Sequence, residues 1–393
     1  MTKLEWNERK QQVEHILQTT PGLTNEEIGK RLGMSERSVR RYKAKINTAK
    51  TADTNDDTLR RVRLKRQCDE LRSRVTSLEK ALEEKDAAIH QYADIAGAPK
   101  TAPIIATKAT KREVVPVIVA SDWHIEETVT AAITNGLNEY NLKIAEDSIK
   151  QFFSNAVYLV KRTMTDSTVH TIVLAVLGDI INGVLRSEDL ENNQASSIDA
   201  LSMARSFLYS GIKLLEKETG CKIRVICCVG NHGRLTEKVH YSNQVHNSLE
   251  YLIYKTLERD FRDHANVDFI VSEAPYVIQS IFGVRVRFQH GHVFRYNGGI
   301  SGISVPILRK VAQLNTIEHA DLDVIGHFHT ATVLSNVIIN GSLVGTNGFS
   351  MALGLPHERP QQMFFLIDSK YGRSMITPVF IDRQVTKPII PNI

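Results

Sequence analysis

Aspartate, asparagine and histidine directly follow five short apolar runs of this sequence. The run VVPVIVA leads into Ser121-Asp122-Trp123-His124, and TIVLAVL leads into Gly178-Asp179. The other runs lead into the clusters Gly230-Asn231-His232-Gly233, Gln289-His290-Gly291-His292 and Gly326-His327-Phe328-His329. Carboxylate, amide and imidazole groups together suit Mn²⁺, Fe or Zn²⁺. The pattern therefore indicates a metal centre, and a metal centre of this composition suits hydrolytic chemistry.

The spacing within each cluster supports chelation. Residues two apart in an extended chain point to the same side, so the D-x-H and H-x-H pairs can each hold one ion. The carboxyl ends of strands in an α/β sheet meet at one edge, where ligands bind. A structural zinc site is disfavoured because thiolate ligands are missing from these clusters. The four cysteines, which form no C-x-x-C pair, are expected to be reduced.

Strand-like and helical segments alternate after residue 113, which is the α/β pattern. Strands are predicted at 114–120, 171–177 and 223–229, and helices near 141–163, 196–217 and 242–259. Further strands are predicted near 268–272, 275–281, 284–290, 322–325, 332–339 and 363–368. The crowding of these later strands predicts a second sheet, so we expect a two-sheet sandwich flanked by helices over residues 114–393.

The order D-x-H, GD, GNH, H, GHxH resembles the calcineurin-like metallophosphoesterase superfamily, which includes the nucleases of double-strand-break repair. The resemblance implies two divalent ions, with Mn²⁺ favoured by analogy with the nucleases and Fe or Zn²⁺ as alternatives. Asp179 would bridge the ions, and His232 would be the catalytic histidine that faces the phosphate. The remaining implied metal ligands are Asp122, His124 and His329 for one ion, and Asn231, His290 and His327 for the other. His292 is an alternative to His290.

Two positions depart from the superfamily pattern. Members commonly continue GNH with an acidic residue, whereas Gly233-Arg234 follows here, and Glu126 replaces the usual glycine after D-x-H-x. We expect Arg234 to bind a phosphate oxygen, with a surface arginine as the alternative.

The basic charge of the chain lies at its N-terminal end. The net charge is +5, but residues 1–113 carry 24 Lys and Arg against 17 Asp and Glu. A helix is predicted over 4–18, and a capping box of Thr24 and Glu27 begins another that runs to about Leu32. Gly33 then ends this helix, and Ser35 is a good N-cap for a third, basic helix.

This arrangement resembles the helix-turn-helix domains of bacterial and phage regulators, and we assign residues 1–50 to such a domain. The second helix of the motif enters the DNA major groove. A small helical bundle with a solvated basic surface is the alternative. The expected DNA contacts are Arg37, Ser38, Arg40, Arg41 and Lys43.

A coiled-coil seam follows over residues 57–93. Apolar residues recur there at alternating spacings of four and three, which is typical of a coiled coil that forms a homodimer. A long helix packed on its own domain is the alternative. A polar, turn-rich linker is predicted at 47–57 and a flexible linker at 94–113. The seam positions are Leu64, Cys68, Leu71, Val75, Leu78, Leu82, Ile89 and Tyr92, interrupted by Lys85.

These features favour a cytoplasmic, metal-dependent phosphodiesterase, specifically a DNA nuclease that its helix-turn-helix arm directs to DNA. Two alternatives stay open. One is a phosphoesterase of small nucleotides, phosphodiesters or phosphoproteins with a regulatory N-terminal part, and the other is a non-enzymatic DNA-binding adaptor. The first twelve residues lack the apolar run of a secretion signal, and no apolar run approaches the roughly 20 residues of a membrane span. A phage or mobile element would be a suitable source.

Overall fold

The computed structural model describes residues 3–96, 111–185, 187–295, 302–352 and 354–382. The chain divides into two compact units, Met1–Thr107 and Lys108–Ile393. Within the described ranges, every helix is too short or too polar to cross a lipid bilayer.

The first unit has three helices among its described residues, α1 (Lys3–Thr19), α2 (Asn25–Leu32) and α3 (Glu36–Ala96). The predicted capping box is confirmed: the Thr24 hydroxyl accepts the backbone N–H of Glu27, and the Glu27 carboxylate accepts the backbone N–H of Thr24 at 2.8 Å. Gly33 ends α2 in the left-handed conformation at φ 61°. Ser35 then accepts the N–H of Ser38, as predicted for the N-cap of the next helix.

A small core joins the three helices of this unit. Val39, Tyr42 and Ile46 of α3 are buried, as their helical spacing predicts, and they pack with Val13 and Ile28. Three of the predicted DNA-contact residues lie on the side of α3 opposite this core, and the other two lie beside the buried residues. Of these, Arg37, Arg40 and Arg41 are exposed, while Ser38 and Lys43 are half-buried.

The predicted linker at 47–57 is wrong, because these residues belong to the unbroken 61-residue helix α3. Residues 36–96 contain neither Gly nor Pro, the two residue types that interrupt helices most strongly. Turn-forming polar residues such as those near Asn55 are tolerated in a helix when no backbone constraint breaks it. Of the second linker, predicted at 94–113, residues 94–96 are helical and residues 112–113 lie in a strand, while 97–110 are outside the described residues.

The second unit is built from two sheets and six helices among its described residues. The helices are α4 (Leu142–Thr163), α5 (Ser187–Asn192), α6 (Ser197–Thr219), α7 (Leu249–Asp260), α8 (Ser304–Ile317) and α9 (Gly348–Ala352). The strands are β1 (Arg112–Ala120), β2 (Ser167–Thr168), β3 (Thr171–Val176), β4 (Lys222–Cys227), β5 (Val267–Val271), β6 (Val277–Ile281), β7 (Val284–Gln289), β8 (Leu322–Ile325), β9 (Thr332–Val333), β10 (Val337–Ile339), β11 (Gln361–Asp368) and β12 (Gly372–Phe380).

The first sheet has the order β12-β11-β1-β3-β4-β5, with the short β2 paired to β1. Strands β1, β3, β4 and β5 are parallel, whereas β11 and β12 run antiparallel to their neighbours. The second sheet has the order β6-β7-β8-β10-β9, with β7, β8 and β10 parallel. The predicted α/β class with two sheets is therefore confirmed.

Alternating side chains of β1 enter two different cores, as the period of a strand requires. Val115, Val117 and Val119 belong to a core shared by both sheets. Ile118 and Ala120 belong to a second core with helices α4, α6 and α7. Helix α8 covers the second sheet through a further cluster that includes Ile307 and Val311. The two sheets thus pack face to face with helices outside, which brings their strand ends to a common edge.

Some predicted boundaries need correction. Helix α7 begins at Leu249 rather than near 242, because a 3₁₀ turn at Val245–Asn247 precedes it and Ser248 caps it through the N–H of Glu250. The strand predicted at 332–339 is two short antiparallel strands, β9 and β10, separated by three residues. Helices α5, α8 and α9 and strands β2 and β12 were not predicted.

Candidate metal centre

The five predicted clusters converge at one edge of the two sheets. Each cluster follows the carboxyl end of a strand: β1, β3 and β4 in the first sheet, and β7 and β8 in the second. Among the described residues, three groups of side chains have potential ligand atoms within 4.8 Å of one another. The groups are Asp122, His124 and His329; Asp179, His290 and His327; and His124, Asp179 and His232.

The first group surrounds the imidazole of His124. Its Nε2 atom lies 3.1 Å from Nε2 of His329, which lies 3.4 Å from Oδ1 of Asp122. The Nδ1 of His124 donates to the side-chain oxygen of Asn182 at 3.0 Å, so the lone pair of the neutral ring is on Nε2, which faces His329. Burial, together with His232 and His329, lowers the pKa of His124, so this imidazole is neutral. A neutral imidazole is the form that binds metal.

The second group surrounds the imidazole of His290. Its Nε2 atom lies 2.8 Å from Oδ2 of Asp179 and 3.1 Å from the side-chain oxygen of Asn231. Its Nδ1 donates to the backbone oxygen of Leu177 at 2.7 Å, which fixes the ring and directs Nε2 to the centre. Although burial opposes the charged form, Asp179 raises the pKa of His290 to about 9. The acidic partner thus favours the charged form of His290, and a metal ion that bound Nε2 would displace this proton.

Asp179 belongs to both halves of the centre. Its Oδ2 faces His290, and its Oδ1 accepts the backbone N–H of His232 at 2.8 Å. Its backbone oxygen accepts the N–H groups of Trp123 and His124, which joins the loops after β1 and β3. Asp179 is thus the carboxylate shared by two of the three groups, and its role as a bridging ligand stays a prediction.

The backbone is strained at the predicted ligands. Five of them adopt left-handed conformations with φ between 42° and 69°, a region that costs an L-residue roughly 1–2 kcal/mol. Such strain is retained mainly at functional sites, where the surrounding structure enforces it. These residues are Asp122, His124, Asp179, His327 and His329.

Two glycines permit the close approach of the loops. A Cβ atom on Gly230 would lie 2.1 Å from Oδ1 of Asp179, and one on Gly326 would lie 2.6 Å from Oδ2 of Asp122. Both distances are far below van der Waals contact. The glycines that precede Asn231 and His327 are therefore required by packing against the ligand carboxylates.

A buried carboxylate on α7 supports the centre and was missed in the sequence. Glu250 accepts the N–H of Ile180 at 2.7 Å and the N–H of Gly230 at 2.6 Å. Burial and the nearby Asp179 raise its pKa to about 8. The signal that could have revealed it is an acidic residue in helical register with the buried Tyr254 and Leu257.

Asn182 was also missed, although it orients two predicted site histidines. Its backbone oxygen accepts Nδ1–H of His232 at 2.9 Å, and its side-chain oxygen accepts Nδ1–H of His124. Glu126 in turn accepts the N–H of Asn182 at 2.9 Å and that of Gly183 at 2.8 Å. The glutamate that departs from the superfamily pattern is therefore a support for the loop that orients His232.

We expect Glu126→Ala to destabilise the chain and to lower metal affinity. The substitution leaves two buried N–H groups without acceptors, which costs about 1–3 kcal/mol for each group, and it frees Asn182 to move. Urea unfolding and metal titration measure the two effects. Glu113→Ala, which removes an exposed glutamate, is the matched control. Equal unfolding free energies and metal affinities in both variants would contradict this role.

Two further predicted residues lie beside the centre. The guanidinium of Arg234 donates to the backbone oxygens of Asn231, Thr236 and Glu237 at 2.9–3.1 Å, so it braces this loop. Its role in phosphate binding stays a prediction. His292 interacts through Nε2 with the side-chain amide of Gln244 and is outside the three groups of potential ligands, whereas His290 belongs to one of them.

No protein-family model matches the chain, and no curated sequence matches it significantly. Some solved structures are similar. An archaeal phosphodiesterase is 12% identical, covering 67% of this chain and 99% of its own, with a TM-score of 0.30. A conserved, uncharacterized Streptococcus pneumoniae protein described as a predicted phosphoesterase is 13% identical, covering 69% and 94%, with a TM-score of 0.28. Zinc-complexed Vps29 from Entamoeba histolytica is 11% identical, covering 67% and 99%, with a TM-score of 0.27.

Proposed function

We propose that the chain is a metal-dependent phosphodiesterase that uses two divalent ions. The observation that carries the proposal is the convergence of carboxylate, amide and imidazole groups from five separate loops at one buried edge. Asp179 would be shared by both ions. Mn²⁺ is the favoured metal, with Fe or Zn²⁺ as alternatives. The other ligands would be Asp122, His124 and His329 on one side, and Asn231, His290 and His327 on the other.

The donor set fits such ions. The Nδ1 atoms of His124 and His290 both donate to fixed oxygen acceptors, which directs each Nε2 to the centre. At His290 a bound ion would take the place of the Nε2 proton. Asp122 is held in place by Ser121, whose hydroxyl donates to it, and by the backbone N–H of His327 at 3.0 Å. Ser121 is itself held by the amide of Asn340 at 2.8 Å. Side chains that are already fixed in this way favour metal binding, because binding then costs little further conformational entropy.

When bound, two divalent ions clamp phosphate oxygens and acidify a water for attack on phosphorus. The chain itself supplies a proton donor. Nδ1–H of His232 is committed to the backbone oxygen of Asn182, so Nε2 is the atom that can carry and release a proton. A charged His232 would donate that proton to the leaving oxygen or stabilise the phosphate charge.

We propose DNA as the substrate. Support comes from the exposed arginines at the start of α3, which follow the tight turn at Gly33, as in a helix-turn-helix. A second, weak DNA-binding surface would raise the local concentration of DNA at the catalytic unit without any change in the centre.

Cleavage of labelled duplex and single-stranded DNA in Mn²⁺ tests this proposal. We expect metal-dependent cleavage that EDTA abolishes. Bis-p-nitrophenyl phosphate, a generic phosphodiester, is assayed in parallel. Hydrolysis of this compound without cleavage of any DNA would assign the centre to a small phosphodiester. If neither substrate were hydrolysed with any of the metals, the alternative of a non-enzymatic DNA-binding adaptor would be favoured.

We expect Arg37→Ala/Arg41→Ala to weaken DNA binding about tenfold or more and to reduce the salt dependence of binding, because a protein that neutralises fewer phosphates releases fewer counterions. Hydrolysis of bis-p-nitrophenyl phosphate should not change. Binding is measured by fluorescence anisotropy at several salt concentrations. Lys150→Ala/Arg162→Ala removes the same charge from exposed positions of α4 and is the control. An equal reduction of affinity in both double variants would contradict a specific surface at the start of α3.

A further inference from the structure

Helix α3 carries a stripe of apolar side chains that its own unit leaves in solvent. Their exposed fractions are between 51% and 65%. A regular stripe of this kind on a helix with charged flanks is typical of a coiled-coil seam. Cys68, also exposed, and Lys85 occupy the two other seam positions of this segment. The apolar members are Leu64, Leu71, Val75, Leu78, Leu82 and Ile89.

We propose that residues 64–89 of α3 bind a second copy of this chain as an antiparallel coiled coil. Complete overlap of the apolar stripe sets the register, so that Leu64 lies opposite the partner's Ile89. In this register Cys68 lies opposite the partner's Lys85. The proposal does not depend on the proposed hydrolysis.

The distribution of charge along α3 favours the antiparallel orientation. Residues 60–74 carry seven basic and two acidic side chains, whereas residues 79–86 carry four acidic and two basic ones. A parallel, in-register pair would place the two basic segments side by side. An antiparallel pair places each basic segment beside an acidic one, which is the favourable arrangement for charges that flank a seam.

Individual flanking positions agree with this orientation. In the antiparallel register, exposed Lys65 lies near the partner's Asp86, and exposed Arg72 lies near the partner's Glu79. Each of these opposite-charge pairs occurs twice in the dimer.

A parallel pair is less favourable. It would place Lys85 directly against the partner's Lys85 in the seam and Arg60 beside the partner's Lys65. Arg74 with the partner's Glu79 would be its only attractive flanking pair among residues 60–89. Like charges in direct contact destabilise helical pairs.

The orientation determines how far apart the two DNA-binding ends would lie. The seam has its midpoint about 40 residues from Glu36, or about 60 Å at 1.5 Å per residue. The two α3 N-termini would therefore be about 120 Å apart, at opposite ends of the pair. Such a dimer would bind two separate DNA segments or distant sites, not two adjacent half-sites.

Thiol cross-linking of the full-length chain distinguishes the orientations. Cys221, Cys227 and Cys228 are buried, and burial raises the pKa of each thiol, so Cys68 is the accessible cysteine. In the antiparallel pair the two Cys68 residues are about 25 Å apart, since 17 residues separate position 68 from position 85 along the helix. Light scattering should give twice the chain mass of 44.2 kDa, and a short bis-maleimide should not cross-link the unmodified dimer.

The Lys85→Cys variant should form covalent dimers with the same reagent, because position 85 then faces Cys68 of the partner subunit. Cys68→Ala/Lys85→Cys is the matched control and should lose them. Cross-linking of the unmodified chain, or of the control variant, would establish a parallel pair and overturn the proposal. A monomeric mass, or a dimer in which Lys85→Cys does not cross-link, would also overturn it.

Discussion

Asp179→Asn is expected to abolish most metal-dependent hydrolysis, with a loss well above the 10- to 100-fold that removal of an outer partner of a metal ligand costs. Asp179 contacts both halves of the centre, with Oδ2 at His290 and Oδ1 at the N–H of His232. The amide keeps the shape of the side chain but removes the negative charge that two divalent ions would share. The rate of bis-p-nitrophenyl phosphate hydrolysis and the metal content of dialysed protein measure the two effects.

Asp166→Asn is the control for this substitution, because Asp166 is an exposed aspartate outside the centre. It should retain both activity and metal. An Asp179→Asn protein with the metal content and activity of the unmodified chain would remove Asp179 from the proposed site. Treatment of the unmodified chain with a chelator should reproduce the loss of activity, and added Mn²⁺ should restore it.

His232→Ala is expected to lower kcat about 10²- to 10⁴-fold, the range that a positioned proton donor contributes. Its metal content should stay near that of the unmodified chain, because His232 is not among the seven proposed ligands. The backbone N–H that reaches Asp179 is also kept in the alanine variant. Separate measurement of kcat and of bound metal therefore distinguishes a proton donor from a metal ligand.

His240→Ala is the control for this second prediction, because His240 is an exposed histidine of the same loop. A His232→Ala protein that loses its metal together with its activity would show that His232 is a ligand. In that case the group of His124, Asp179 and His232, whose potential ligand atoms lie within 4.8 Å of one another, would be the metal site.

The gathering of these side chains at one edge could be predicted because each of them follows the carboxyl end of a predicted strand. Asp122 and Asp179 each follow a run of apolar, β-branched residues, and such runs become buried strands. The carboxyl ends of parallel strands then share an edge whatever the details of packing. The α/β class and the two sheets were predicted on the same basis.

The failed predictions concern segments whose structure depends on context. Residues 47–57 are polar and turn-forming by type, yet they continue α3, since nothing in the backbone stops a helix that has already begun. The start of α7 was placed too early because the 3₁₀ turn at Val245–Asn247 has the same local composition as a helix end. Helix α8 packs on the second sheet through Ile307 and Val311, and strand β12 pairs with β11 in the first sheet.

The sequence by itself determined the α/β class and the two sheets of the second unit, the residue types that follow its strand ends, and the capping of α2, because each depends on neighbours along the chain. Only the tertiary structure decided which hydrogen-bond partners orient the side chains of the site. Glu250 is hydrogen-bonded to Gly230, 20 residues away in the sequence. Asn182 is hydrogen-bonded to His232 and His124, which are 50 and 58 residues away. Hydrogen bonds between distant segments form only when packing brings those segments within about 3 Å, and no local pattern encodes that approach.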